Sequence, residues 1–243
     1  MLITNFRLKH ALYKIVLAAF QLFDTGRLHP LRERSIRALD RSVDYIEANM
    51  ADAVGLETQK DVLRYALAET AVIGHYLEFG VFTGGTIRYI AKQLKNSGKR
   101  DVIVHGFDSF EGLPQAWAGF NLARLTFSLG GMLPRVPHNV RLHKGWFSSS
   151  IAAWCEQVTG PVAFVHVDCD LYSSTLDVLE GLRARLQPGT VIVFDEYFNY
   201  PNWERHEFKA WQEFVTRHAL TYQYLAFARQ QVAVRILTLK DAA

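Results

Sequence analysis

Cysteine is nearly absent from this 243-residue chain, which carries only Cys155 and Cys169. Two thiols in unlike contexts give no disulfide framework. They fit a reducing cytoplasm, with each thiol acting as a small buried hydrophobe. Long apolar runs are absent too. The stretch 1–23 mixes apolar and basic residues, but Lys14 interrupts it and no small-residue cleavage site follows. Neither a secretory leader nor a membrane span of roughly 20 apolar residues is expected. Leu8, Leu12, Ile15, Ala19 and Phe23 instead recur at helical spacing, as in an amphipathic helix that packs on the body or pairs with a second copy. A charge excess is missing as well. Lys and Arg number 27 against 24 Asp and Glu, too even for the basic face that nucleic acid requires. With no repeats or low-complexity tracts, and 49% hydrophobic residues, the chain reads as an ordinary globular enzyme-sized domain.

Residues 1–75 read as helices over 6–23, 31–49 and 57–73, with His29-Pro30 breaking the first from the second. They form a helical extension that serves as cap, lid or dimerisation element for a domain over 76–243. From Tyr76 the texture alternates. Strands are expected over 75–81, 102–107, 140–143, 162–167 and 191–194, and helices over 84–96, 175–186 and 203–217, the last capped by Asn202. Two β-rich runs, 220–227 and 231–237, close the chain as a hairpin. Continuous apolar strands between helices imply an α/β, doubly wound, mostly parallel sheet covered on both faces, with an antiparallel hairpin strand added at the edge. Ligands of such sheets bind beyond the carboxyl ends of the strands.

The residues able to do chemistry fall at those ends. After the first strand comes Glu78-Phe79-Gly80-Val81-Phe82-Thr83-Gly84-Gly85-Thr86. Glycines let backbone approach a ligand, and the helix that follows offers free N–H groups. Phe82 occupies the place where a dinucleotide fingerprint needs glycine, so a carboxylate-bearing cofactor without phosphate fits better than NAD. S-adenosylmethionine is such a cofactor. Asp108 and Ser109 follow the second strand, where a carboxylate can bind ribose hydroxyls; the alternative is a helix cap. Gly145-Trp146 follows the third strand, where the indole either stacks on adenine or packs in a turn.

Two further strand ends carry acids, Asp168-Cys169-Asp170 and Asp195-Glu196. Strand alternation places Asp168 and Asp170 on one side, with Cys169 turned away to pack. Adjacent strands lie about 4.8 Å apart, so four carboxylates gather at one rim. Such a gathering is costly without a cation, and oxygen donors favour Mg²⁺, with Mn²⁺ or Ca²⁺ as variants. The other reading is a set of separate caps and solvated acids. His166 is either a ligand or a satisfied strand histidine.

The ordered set Glu78-Phe79-Gly80-Val81, Phe107 to Pro114, Val167-Asp168-Cys169-Asp170-Leu171-Tyr172 and Phe194-Asp195-Glu196-Tyr197 resembles the macrocin and mycinamicin O-methyltransferase family over about 76–214. The resemblance implies a class I, Rossmann-like methyltransferase that uses S-adenosylmethionine and Mg²⁺ to methylate hydroxyls on natural-product sugars. It implies Asp168, Asp195 and Glu196 as metal ligands and Asp170 as general base, with Asp168 shared between metal and catalytic centre. It further implies Glu78, Gly80, Asp108 and Ser109 as cofactor contacts, to which Gly84, Thr86, Gly145 and Trp146 add by position. The family's usual pair of aspartates is replaced here by Asp195-Glu196, one methylene longer on the second acid. The expected acceptor is a small molecule with a sugar or polyol-like hydroxyl. A catechol is the nearest alternative, and NAD-dependent oxidoreduction a more distant one. Tyr172, Tyr197, Phe198, Tyr200 and Trp203 either contact that acceptor or pack, and 115–137 is either a lid or a long loop.

Overall fold

In the computed structural model, which describes Lys14, residues 30–117 and residues 123–239, eight strands form one sheet. In chain order the elements are α1 (Pro30–Asn49), β1 (Val54–Gly55), α2 (Gln59–Ala68), β2 (His75–Phe79), α3 (Gly85–Asn96), β3 (Val104–Asp108), β4 (Val140–Lys144) and α4 (Phe147–Gln157). They continue with β5 (Val162–Val167), α5 (Tyr172–Leu182), β6 (Val191–Phe194), α6 (Glu207–Arg217), β7 (Thr221–Phe227) and β8 (Val232–Thr238). The expected helix over 6–23 lies outside the described residues, Lys14 excepted.

The sheet order is β1-β7-β8-β6-β5-β2-β3-β4. Only β8 runs against its neighbours, pairing antiparallel with both β6 and β7. The mostly parallel, doubly wound sheet is therefore the observed fold, with one difference. The antiparallel strand is not at the edge: β8 is inserted inside the sheet, and β7 and the two-residue β1 lie outside it. Another difference is α4, which the sequence pattern did not announce. The expected helix over 203–217 divides into a 3-10 turn, Trp203–Arg205, and α6; Asn202 makes no side-chain cap.

Side-chain alternation explains the two layers. Leu77, Phe79, Val165, Val167, Ile192 and Phe194 point to one face, where α4, α5 and α6 contribute Trp154, Val178, Leu182, Trp211 and Phe214. Tyr76, Phe164, Val191 and Val193 point to the other face, against Val62, Leu63 and Ala66 of α2 and Ile87, Ile90, Ala91 and Leu94 of α3. Each large aliphatic side chain buried in this way contributes roughly 2 kcal/mol. On the first face α1 is fastened to the segment after β6, where the Ser42 hydroxyl accepts the Asn199 N–H at 2.9 Å, and to β7, where the Tyr45 and Tyr224 hydroxyls meet at 2.6 Å.

The chain turns outward in both directions from the β2–β5 pair, toward β4 on one side and β6 on the other. The carboxyl ends of β2 and β5 therefore open onto a crevice, the usual ligand position in such sheets.

Candidate active site

The crevice holds a cavity of about 480 Å³. One wall comes from the ends of β2, β3 and β4, through Gly80, Phe82, Asp108, Ser109, Gly145 and Trp146. Gly80 has φ +91°, and a Cβ there would sit 1.7 Å from the Asp168 carbonyl oxygen, so the loop can cross the end of β5 only as glycine. Gly84, at φ +80°, caps α3 in the left-handed region. Asp108 holds the loop in place: its carboxylate accepts the N–H groups of Val81 and Phe82, each at 2.8 Å, and of Phe110 at 2.6 Å. It nevertheless lines the cavity, as do Ser109, Gly145 and the 42% exposed Trp146. Glu78, Gly84 and Thr86 are not among the lining residues. Glu78 is fully buried, and its Oε2 lies 3.3 Å from Nδ1 of His166.

The opposite wall carries the acids. Asp168, Asp170 and Glu196 line the cavity, and Asp168, Asp195 and Glu196 each bring a carboxylate oxygen within 4.8 Å of the others. Register explains the meeting. Glu78 pairs with His166, and His166 with Val193, so Glu78, His166 and Asp195 share one side of the sheet. His166 lies between the acids, with Nε2 3.6 Å from Asp195 Oδ1. Despite burial, these two carboxylates hold the imidazole well above its ordinary pKa. It is a strand histidine set between two acids: Nδ1 reaches Glu78, while the buried Nε2 has no hydrogen-bond partner.

Asp170 reaches the cavity by a different route from the strand alternation expected. β5 ends at Val167, and Asp170 sits at φ +63° in a tight turn closed by the Leu171 N–H onto the Cys169 carbonyl. A non-glycine residue there is strained, as residues at functional positions often are. Cys169 packs in the core.

Burial pushes the carboxyls of Asp168 and Glu196 well above their usual range, and neighbouring Asp195 adds to it. Burial likewise raises Asp170 to about 7, with Asp195 and Asp108 contributing. Glu196 Oε2 is buried without a hydrogen-bond partner. An all-oxygen donor set with an orphaned, desolvated oxygen fits a hard divalent cation, whose charge would offset the repulsion. The cavity also fits S-adenosylmethionine. Its charged lining residues, Asp108, Asp168, Asp170, Asp177 and Glu196, are all acidic, which suits a sulfonium with an ammonium group.

Several contributors come from outside the motifs. Gln59 of α2 donates from Nε2 to Asp195 Oδ1, and Gln231 donates to the Asp195 carbonyl. Glu207, fully buried at the start of α6, accepts the N–H groups of Cys169 and Glu196 and so ties both acid-bearing loops together. Its carboxyl is raised to about 8 by burial. Glu207 lies on the buried i, i+3, i+4, i+7 stripe with Ala210, Trp211 and Phe214, an acid on an apolar face that the sequence does signal. Trp117 and Phe127 also line the cavity. By contrast Tyr197, Phe198, Tyr200 and Trp203 are buried core outside the lining, and Tyr172 turns to Glu213 of α6.

This topology and crevice define the class I methyltransferase fold. A family model described as "Methyltransferase domain" matches residues 77–197. The chain is 29% identical over 181 residues, 66% of its length and 67% of the relative's, to the 8-demethyl-8-(2,3-dimethoxy-alpha-L-rhamnosyl)-tetracenomycin-C 4'-O-methyltransferase of Streptomyces olivaceus. It is also 29% identical, over 66% of its length and 68% of the relative's, to the mycinamicin III 3''-O-methyltransferase of Micromonospora griseorubida. Among solved structures the O-methyltransferase NovP shares the fold at TM-score 0.59 and 22% identity, over 74% of this chain and 79% of that one. Residues 77–197 thus carry a methyltransferase domain, and the curated relatives are O-methyltransferases, the activity its motifs implied. No described helix is long and apolar enough to cross a membrane.

Proposed function

We propose that this enzyme methylates a sugar hydroxyl on a small natural product or glycan precursor, with Mg²⁺ held by Asp168, Asp195 and Glu196. The observation that carries the reading is the approach of one oxygen from each of these three carboxylates to within 4.8 Å of the others, in a cluster where Glu196 keeps a buried, unpartnered oxygen. The names of the relatives, which act on a rhamnosyl tetracenomycin and a mycinamicin, support a glycosidic acceptor.

Glu78, Gly80, Gly84, Thr86, Asp108, Ser109, Gly145 and Trp146 form or brace the donor side. Of these, Asp108 keeps the glycine loop closed and Trp146 offers a ring face for adenine. A divalent ion bound by the acids would supply positive charge for acceptor oxygens and for the negative charge that grows as the hydroxyl loses its proton. Asp170 accepts that proton: raised to about 7, its carboxylate is a better base near neutral pH than an ordinary aspartate. Asp168, between ligand and base, keeps the two functions adjacent. Glu207 and Gln59 fix the acid-bearing loops, so that orientation precedes binding.

The test is methyl transfer to a panel of glycosides, read by mass spectrometry, before and after EDTA. Turnover is expected to vanish in EDTA and return with Mg²⁺. Full turnover in EDTA would remove the metal from the mechanism.

A further inference from the structure

We propose that a second cavity beside the acids binds an anionic, phosphate-type group on the acceptor, an inference that rests on the reading above. This cavity, of about 570 Å³, shares no lining residue with the donor cavity. It touches the acid cluster through Gln59 and Gln231, whose amides hydrogen-bond Asp195. Its charge is opposite. Lys60 and Arg229 line it and no acid does, whereas every charged residue lining the donor cavity is acidic.

The two cations come from distant parts of the chain, Lys60 from α2 and Arg229 from the turn between β7 and β8. Neither is ion-paired among the described residues. The Arg229 turn is held by its carbonyl, which accepts the Asn199 amide at 2.8 Å, and Lys60 lies with Nζ 5.7 Å from the Tyr89 ring centroid. Gln59, Asn199, Gln230 and Gln231 complete the lining; the amides of Gln59 and Gln231 donate to Asp195 and that of Asn199 to the Arg229 carbonyl, which fixes the walls. Two cations without ion-pair partners lining one acid-free cavity suit phosphate oxygens, which Arg binds through paired N–H groups. The methyl donor also has an anion, its carboxylate, but a lone carboxylate fills only a small part of this volume. A sugar carried on a diphosphate suits the space and the charge, and the neighbouring acids would then address its ring hydroxyls.

The test is calorimetric titration of the full chain with inorganic pyrophosphate in EDTA, where no bound metal can capture the anion. A parallel titration uses S-adenosylmethionine. Pyrophosphate is expected to bind, and Arg229→Gln to weaken it about tenfold, as the loss of a charge-assisted contact would. Lys60→Gln combined with Arg229→Gln should weaken it further. Arg229→Lys should recover part of the loss, and donor affinity should stay within about twofold throughout. Absence of pyrophosphate binding to the wild type overturns the proposal. So does a loss of donor binding with pyrophosphate unaffected, which would give the cavity to the donor's carboxylate. Because this titration needs neither metal nor turnover, its failure leaves the methyl-transfer reading standing, and that reading fails only in the EDTA experiment.

Discussion

The two walls of the donor cavity are built on opposite principles. At the ends of β2, β3 and β4 the wall is mostly backbone. A glycine loop folds against β5, and Asp108 accepts three N–H groups that would otherwise lack partners. At the ends of β5 and β6 the wall is carboxylates, held by Gln59, Gln231 and Glu207 from three separate parts of the chain. The first wall is electrostatically settled. The second holds buried carboxyls: burial and then the Asp195 charge push those of Asp168 and Glu196 up, whereas His166, between Glu78 and Asp195, helps hold that of Asp195 down. A wall of the first kind shapes a binding site, and one of the second kind gains stability when positive charge arrives.

Substitutions on the two walls should therefore fail differently. The largest effect is expected from Asp170→Asn, which keeps the size of the side chain and removes its basicity. Turnover should fall by about 10²- to 10⁴-fold, the range for loss of a positioned base, while titrated S-adenosylmethionine affinity changes less than about twofold. Turnover at the wild-type rate would strip Asp170 of the role. Asp108→Ala comes next and should show the reverse pattern. Several backbone donors lose their acceptor at a cost of about 2–4 kcal/mol, visible in urea denaturation. Donor affinity should drop at least about tenfold as the loop opens. If Asp108→Ala binds the donor normally, the loop does not need its clasp and the contrast between the walls collapses.

The same contrast decides what was legible in the sequence. The backbone wall follows from contiguous motifs, so Gly80, Asp108 and Gly145 could be placed at strand ends directly. Asp168 and Asp195 could be brought together by strand spacing alone. Gln59, Gln231 and Trp117 could not, because they reach the site through sheet order and loop closure that no local pattern encodes. Glu207 was available in principle as the one acid on an apolar helical stripe. The position of β8 was also written in its composition. Val232, Ala233 and Val234 form a run buried on both faces, whereas β7 alternates exposed and half-buried residues over 221–224, the pattern of a strand nearer the edge. Ser148, Ser149 and Ser150 in the first turn of α4 dilute its helical period, which is why that helix did not stand out.

The smallest predicted effect separates the walls by pH. On β3 and β4, behind the backbone wall, His105 and His143 meet through Nδ1 and Nε2 at 2.9 Å. Burial lowers the pKa of His105 to about 4, helped by His143, His75 and Arg141, and burial also lowers that of His143. Between about pH 6.5 and 4 the unfolded chain binds a proton at His105 that the folded chain refuses, so stability falls as pH falls through this window. The acids behave oppositely. Asp170, raised to about 7, takes up its proton in the folded state first, so the metal-free protein gains from that group as pH falls from about 7 toward 4. His105→Gln isolates the first contribution. In EDTA, urea denaturation at pH 7 and at pH 4.5 should show the wild type losing about 1–2 kcal/mol more than the variant, allowing for partial exposure of the ring. A difference between the two proteins that is the same at both pH values would mean that the histidine pair titrates normally.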